Sequence, residues 1–339
     1  MYKQTDTPTA LIFRGQPAQY AGMARAVAGL KEAEPVFSAV RAAAKSLGID
    51  GNVLRLMSDD ASQNDLSNSL FAHTAISAVN HILRKALESK AKQIGYPLGF
   101  KAVAGNSVGQ MEAFEAAGAA RFEEDILPVT LAGSHYLHEY SQKNKGGLTA
   151  VFFGKNGSPE QLEELKATLL NCYGVMVALE NAPGQVVVGG LEKGLAEAEA
   201  YMEKTETKYI RIPKIEGPFH TIYVQEPAAQ VKPRIDSIPF SYGKIPVWAN
   251  STGKIINSPE QFQAESFLQT FMPVLWRQII QGMIKQQGIG RFFVIDPSSN
   301  GESPISRTIE KIKSDAEILT IRDEATLDEV IRILAASRA

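Results

Sequence analysis

Residues 100–118 read FKAVAGNSVGQMEAFEAAG. The opening run, Phe100-Lys101-Ala102-Val103-Ala104, is short and apolar and ends at a glycine, as a buried strand does. After Ser107 the residues Val108, Met111, Ala113, Phe114 and Ala117 recur at helical spacing, so a helix starts at the serine. Between the two lies Gly105-Asn106-Ser107-Val108-Gly109, a Gly-x-Ser-x-Gly. Strand, sharp turn and helix form the setting of a nucleophile elbow. There the serine oxygen projects into the crevice at the sheet edge, and the helix N-terminus offers N–H groups to a developing oxyanion. The flanking glycines relieve crowding at the turn. The alternative is a glycine-rich turn with a bystander serine.

Working outward, Ala10–Phe13 reads as a strand running into the turn Arg14-Gly15-Gln16-Pro17. Helical patterns follow at about 20–47 and 70–90. From 146 the rhythm changes. Leu148–Phe153 is a strand, a helix runs to about Asn171, and Val175–Leu179 and Gln185–Val188 are strands joined through Asn181-Ala182-Pro183-Gly184. Leu191–Lys204 is a second helix and Tyr209–Ile212 a last strand. The order β-α-β-β-α-β is ferredoxin-like. Strands at Ile245–Ala249, Phe292–Ile295 and about 317–321 then alternate with helices at about 303–313 and 326–336. The expected fold is α/β. A large α/β-hydrolase-like catalytic subdomain with a mostly parallel sheet (1–145 and 214–339) carries an inserted small ferredoxin-like subdomain (146–213).

The 339 residues are 44% hydrophobic and 21% charged, with a net charge of −2, so a sizeable core is expected and nucleic acid or an anionic membrane is not. The one cysteine, Cys172, excludes an intrachain disulfide. The N-terminal residues do not read as a signal peptide and no long apolar run is present, so a cytoplasmic protein is expected. No His/Cys/Asp cluster has ligand spacing, so no metal is expected.

A serine needs a base. The histidines are His73, His81, His135, His138 and His220. The first four lie on helical patterns and read as helix-face residues. His220 lies in a loop, Glu216-Gly217-Pro218-Phe219-His220-Thr221, where function concentrates. Spacing alone leaves the choice open.

The motifs taken together narrow it. Phe13-Arg14-Gly15-Gln16-Pro17-Ala18-Gln19, Gly105–Gln110, Asn181–Val187, Pro218-Phe219-His220-Thr221, Asn250-Ser251-Thr252-Gly253 and Pro273-Val274-Leu275-Trp276 occur in that order. They resemble the blocks of the malonyl-CoA:acyl-carrier-protein transacylase family, which includes the acyltransferase domains of polyketide synthases. The resemblance covers about 9–312. It implies that Ser107 attacks an acyl thioester and that His220 acts as acid and base. It further implies an oxyanion hole from the N–H groups of Gln16 and Val108, and a backbone carbonyl at Leu275 orienting the histidine. Asn250 is implied beside the Ser-His pair.

The chain also departs from the family. An arginine that pairs with the malonyl carboxylate normally precedes a glycine on the helix after the nucleophile. Ala132 stands there, followed by Gly133. A buried carboxylate without a partner costs several kcal/mol, so malonyl should be disfavoured. Another cation, such as His135 or Lys101, is the alternative. Asn106, Gln110 and Ser67-Asn68 also replace usual residues, so a retuned acyl pocket is expected from Asn106, Gln110, Ala132, Gly133, Phe219 and Asn250. A missing arginine with an intact Ser-His pair resembles the acyl hydrolases that serve polyketide synthases lacking built-in acyltransferases. The expected function is therefore hydrolysis of non-malonyl thioesters of an acyl carrier protein; the alternative is acyl transfer to a carrier protein. No bound cofactor is expected, since phosphopantetheine or coenzyme A enters as part of the substrate. A monomer is expected.

Overall fold

The computed structural model describes residues 7–49, 51–153, 159–299, 301 and 303–337. Its strands are β1 (Thr9–Phe13), β2 (Phe100–Gly105), β3 (Gly146–Phe152), β4 (Met176–Ala182), β5 (Gln185–Leu191), β6 (Lys208–Arg211), β7 (Val247–Trp248), β8 (Ile255–Ile256), β9 (Arg291–Ile295) and β10 (Glu317–Ile321). The first six helices are α1 (Ala33–Ser46), α2 (Gln63–Ser67), α3 (Ser69–Gln93), α4 (Gly109–Ala116), α5 (Leu127–Lys143) and α6 (Pro159–Tyr173). The remainder are α7 (Glu192–Lys204), α8 (Gln225–Asp236), α9 (Pro259–Leu268), α10 (Trp276–Gln287), α11 (Pro304–Ile312) and α12 (Glu324–Ala336).

The main sheet has the order β10-β9-β1-β2-β7-β8. It is parallel from β10 through β7, and β8 is an antiparallel edge. Its central strands are apolar on both faces because both faces are covered. Ala10 and Ile12 of β1 enter one core with Ala102, Ala104, Phe292 and Val294. Leu11 and Phe13 point the other way and join Val103, Phe293 and Ile295 in the larger core.

The second sheet, β4-β5-β3-β6, is antiparallel throughout, with α6 and α7 supplied by the intervening chain. This strand order is that of the ferredoxin-like unit. Its free edge does not face solvent alone: Glu180 N–H donates to the Val274 carbonyl at 2.9 Å, and Val274 N–H to Ala178 at 2.9 Å. The small sheet is thereby tied to the segment leading into α10.

One expected helix is shorter than its pattern. The stretch 20–47 contains a 3-10 turn at Met23–Ala26 and then α1. Gly22 sits at a φ of 79°, and Pro35 lies in the first turn of α1, where its missing N–H costs nothing. Asn68 caps α3, its Oδ1 accepting the Leu70 N–H at 2.9 Å. Ser67-Asn68 thus makes a helix start and is not part of the lining of the cavity described below.

Close backbone approach decides where the elbow sits. A Cβ on Gly105 would run into the Gly109 backbone, and one on Gly15 into the Asn106 carbonyl. Asn106 N–H donates to the Phe13 carbonyl at 2.8 Å, and Arg14 N–H to Ile295 at 3.0 Å, so β1, β2 and β9 release their loops together. Arg14 then donates to both oxygens of the fully buried Asp296, at 2.7 and 3.0 Å. On the far side, the buried Glu265 of α9 accepts the Ser251 N–H at 2.9 Å and the Ser251 hydroxyl. Burial pushes the Glu265 carboxyl up to about 7, against the hydrogen bonds from Ser251.

Gly105→Ala should cost at least about 3 kcal/mol, because backbone rather than a movable side chain blocks the methyl. Gly133→Ala should be neutral or stabilising by about 0.5–1 kcal/mol: Gly133 is helical, and a Cβ there meets only Val231 Cγ1 at 4.0 Å. Denaturant melts of both variants check this. Glu265 has a folded pKa above its unfolded value, so its contribution is present below about pH 4.5 and declines as pH rises to about 7. The loss is on the order of 3 kcal/mol. In melts taken across that range, Glu265→Gln should remove this component of the pH slope.

Candidate active site

Ser107 stands on the turn between β2 and α4 with a φ of 56°. An L-residue at positive φ is strained unless its surroundings hold it. Asn250, fully buried after β7, does so. Its Oδ1 accepts the Ser107 N–H at 2.8 Å, and its Nδ2 donates to the Gly105 carbonyl at 2.6 Å and to Gln110 Oε1. A single amide therefore spans the strand end, the elbow and the first turn of α4.

His220 reaches the same point from the loop before α8, also at positive φ, 60°. Its Nε2 lies 2.8 Å from Ser107 Oγ and its Nδ1 2.7 Å from the Gln269 carbonyl. A carbonyl only accepts, so Nδ1 carries the hydrogen and Nε2 turns a lone pair toward the serine. This is the tautomer a general base requires. His220 N–H donates to the Thr270 carbonyl at 3.1 Å, fixing the loop itself. Burial pushes the imidazole down to about 4, opposed by the backbone groups of Gln269 and Met272. Near neutrality the ring is an uncharged base.

The carbonyl expected from Leu275 to orient the histidine is therefore supplied by Gln269 instead. The chain leaving α9 passes beside the ring, whereas the Leu275 N–H donates to the Asn250 carbonyl at 2.8 Å. Among the described residues, the N–H groups of Gln16 and Val108 have no hydrogen-bond acceptor, as free oxyanion donors should.

A cavity of about 70 Å³ opens beside Ser107 and His220. Its walls are Val129, Thr130, Gly133 and Leu137 of α5, Ala228, Val231 and Ile235 of α8, Met111 of α4, and Phe219. Of the six residues expected to form an acyl pocket, Gly133 and Phe219 line it. Asn106, Gln110, Ala132 and Asn250 do not. Gln110 and Asn250 are buried beneath the elbow, Asn106 pairs with the Phe13 carbonyl, and Ala132 packs into the larger core, one residue off the face that α5 turns to the cavity.

No lysine or arginine is among the lining residues. His135 and Lys101, considered as substitute cations, are elsewhere: His135 is paired with Glu139 at 3.6 Å, and Lys101 is exposed. Arg121 is engaged by Asp125. His73, read from the sequence as a helix-face residue, instead lines the cavity, buried on α3. Burial first, and then the neighbouring His220, pushes it down to about 4, so it too is neutral. Its neighbours Ala72, Ala75 and Ile76 are buried as well. Among the described residues, no helix is long and apolar enough to cross a membrane.

No family model matches the chain. It is 24% identical to the malonyl CoA-acyl carrier protein transacylase of Bacillus subtilis (strain 168) over 327 residues, 96% of each protein. It is 29% identical to the polyketide biosynthesis protein ThaF of Burkholderia thailandensis over 286 residues, 84% of this chain and 22% of that longer protein. Among solved structures, MCAT from Streptococcus pneumoniae superposes with a TM-score of 0.78 at 25% identity, covering 96% of this chain and 99% of that one. These likenesses support the resemblance to the malonyl-CoA:acyl-carrier-protein transacylase and polyketide acyltransferase family, and with it an acyltransferase-type enzyme.

Proposed function

We propose that this chain is a serine enzyme that takes a short, uncharged acyl group from an acyl-carrier-protein thioester and releases it to water. One observation carries the choice of acyl group: the cavity beside Ser107 and His220 is lined by apolar and uncharged polar side chains, with no lysine or arginine among the lining residues. Its volume, about 70 Å³, corresponds to about five to seven water-sized groups at 10–15 Å³ each, which suits a short acyl chain. A malonyl carboxylate placed there would lose its hydration without gaining a cation.

In the proposed reaction, Ser107 Oγ attacks the thioester carbonyl while its proton passes to His220 Nε2. The oxyanion is received by the N–H groups of Gln16 and Val108. The C–S bond breaks, and the imidazolium returns the proton to the departing thiol, leaving an ester on Ser107. Water then attacks that ester with His220 again as base, releasing the free acid and the serine. Phosphopantetheine, on the carrier protein or in coenzyme A, is the thiol of the substrate.

Transfer to a second thiol is the other reading. It is favoured by the similarity to the transacylase of Bacillus subtilis over 96% of both chains. The two readings share the acyl-enzyme and differ in what resolves it.

Mixing the protein with acetyl- and malonyl-carrier protein, with intact-mass spectrometry over time, separates the cases. The expected result is acetylation of Ser107 at least about 100-fold faster than malonylation, with free acetate accumulating and Ser107→Ala inert. Stable malonyl loading and passage to a second carrier protein would overturn the hydrolase reading. The pH profile is a second check. Because the folded His220 stays neutral down to about 4, the acylation rate should be flat from pH 8 to about pH 5 and fall only near 4. An inflection near 6.5 would mean that an unburied imidazole is the base.

A further inference from the structure

We propose that His73 is a positioning residue for the oxyanion hole, acting through the side chain of Gln16; this rests on the acyl-enzyme reading above. Gln16 Nε2 donates to the Lys214 carbonyl at 2.7 Å. That contact fixes the amide, because only its NH₂ end can face a carbonyl. Gln16 Oε1 is thereby turned to His73 Nε2, 2.9 Å away, and must accept from it. His73 thus carries its hydrogen on Nε2, the opposite tautomer to His220. Its Nδ1 is left as an acceptor facing Ser134 Oγ at 3.0 Å. The Ser134 hydroxyl donates to the Thr130 carbonyl at 2.6 Å, so it abuts the ring, and the directed hydrogen bond of His73 is the one to Gln16.

The ring touches both loops that act on the thioester. One contact is to the side chain of Gln16, whose backbone N–H has no acceptor among the described residues. The other is edge-on to Phe219, the residue before His220, at 5.9 Å between ring centres. A buried histidine kept only for packing would not need a directed hydrogen bond to the side chain of the residue that carries the proposed oxyanion donor. The physical role follows from the distances. If Gln16 loses its anchor on α3, its amide and the backbone beside it gain freedom, and the N–H no longer waits at a fixed position for the oxyanion. Neutrality is part of the design, because a charged His73 would make His220 a weaker base.

The test compares His73→Phe, which retains a ring of similar shape without hydrogen bonds, with His73→Gln, which can still donate to Gln16. Gln16→Met retains the backbone N–H but removes the tether. For acetyl-carrier protein, His73→Phe should lower kcat about 100-fold while KM changes by less than about threefold. His73→Gln should recover about tenfold of that loss. Gln16→Met should reproduce the defect, and the double variant should be no worse than either single one. A folded His73→Phe protein with unchanged kcat overturns the proposal, as do fully additive losses in the double variant. If His73→Phe does not fold, Gln16→Met decides alone, and unchanged kcat there overturns it. Ser107→Ala is run alongside. If it stays active, the acyl-enzyme reading has failed; if it is inert while the other variants behave as wild type, only the role of His73 has failed.

Discussion

The structure around the site depends on the amide of Asn250. Ser107 occupies a backbone conformation that a side-chain-bearing residue adopts only under constraint. Asn250 supplies that constraint by accepting from the serine N–H while donating to Gly105 and Gln110, so both sides of the turn are pinned by one planar group. A consequence is that the Ser107 N–H is committed. The oxyanion donors of the proposed reaction are then the next residue, Val108, and Gln16 in the neighbouring loop. That loop is brought into place by the β1–β2 pairing and by the Arg14–Asp296 ion pair.

The second organising fact is the absence of charge at the chemistry. Both histidines on the cavity are buried and neutral near pH 7, and they hold opposite tautomers because each faces a different fixed acceptor. A neutral base beside a cavity without lysine or arginine fits the uncharged acyl groups proposed above. In such surroundings an unpaired carboxylate is penalised more strongly than in water. In the proposed reaction, substrate selection and basicity would share one physical origin, the burial of the site and the lack of lysine or arginine among the residues lining the cavity.

Much of this was legible in the chain. The apolar runs of β1, β2 and β9, alternating between two cores, announce a sheet covered on both faces. Gly105 and Gly109 bracket Ser107 at the spacing the elbow requires. The β-α-β-β-α-β rhythm of 146–213 reappears as the sheet β4-β5-β3-β6. The misses were of another kind. Leu275 was expected at the histidine, and Gln269 is there. His73 read as an ordinary helix residue, yet it faces the cavity. Asn106, Gln110, Ala132 and Asn250 were expected on the pocket wall, where only Gly133 and Phe219 of that set occur.

These differences have a common cause. Local pattern determines which segments become strands and helices, because burial periodicity and turn chemistry act over a few residues. It also singled out Ser107 as the candidate nucleophile, from the glycines and the strand and helix beside it. Which carbonyl meets His220 Nδ1, which helix face borders the cavity, and whether an asparagine holds the substrate or the backbone depend on contacts between residues 49 to 198 positions apart. Those distances are set by the packing of α3, α5, α8 and α9 around the sheet, where a rotation of one residue, about 100° on a helix, exchanges the core for the cavity. The sequence by itself therefore determined the architecture and the candidate nucleophile, and only the tertiary structure decided the partners of the candidate base and the composition of the pocket.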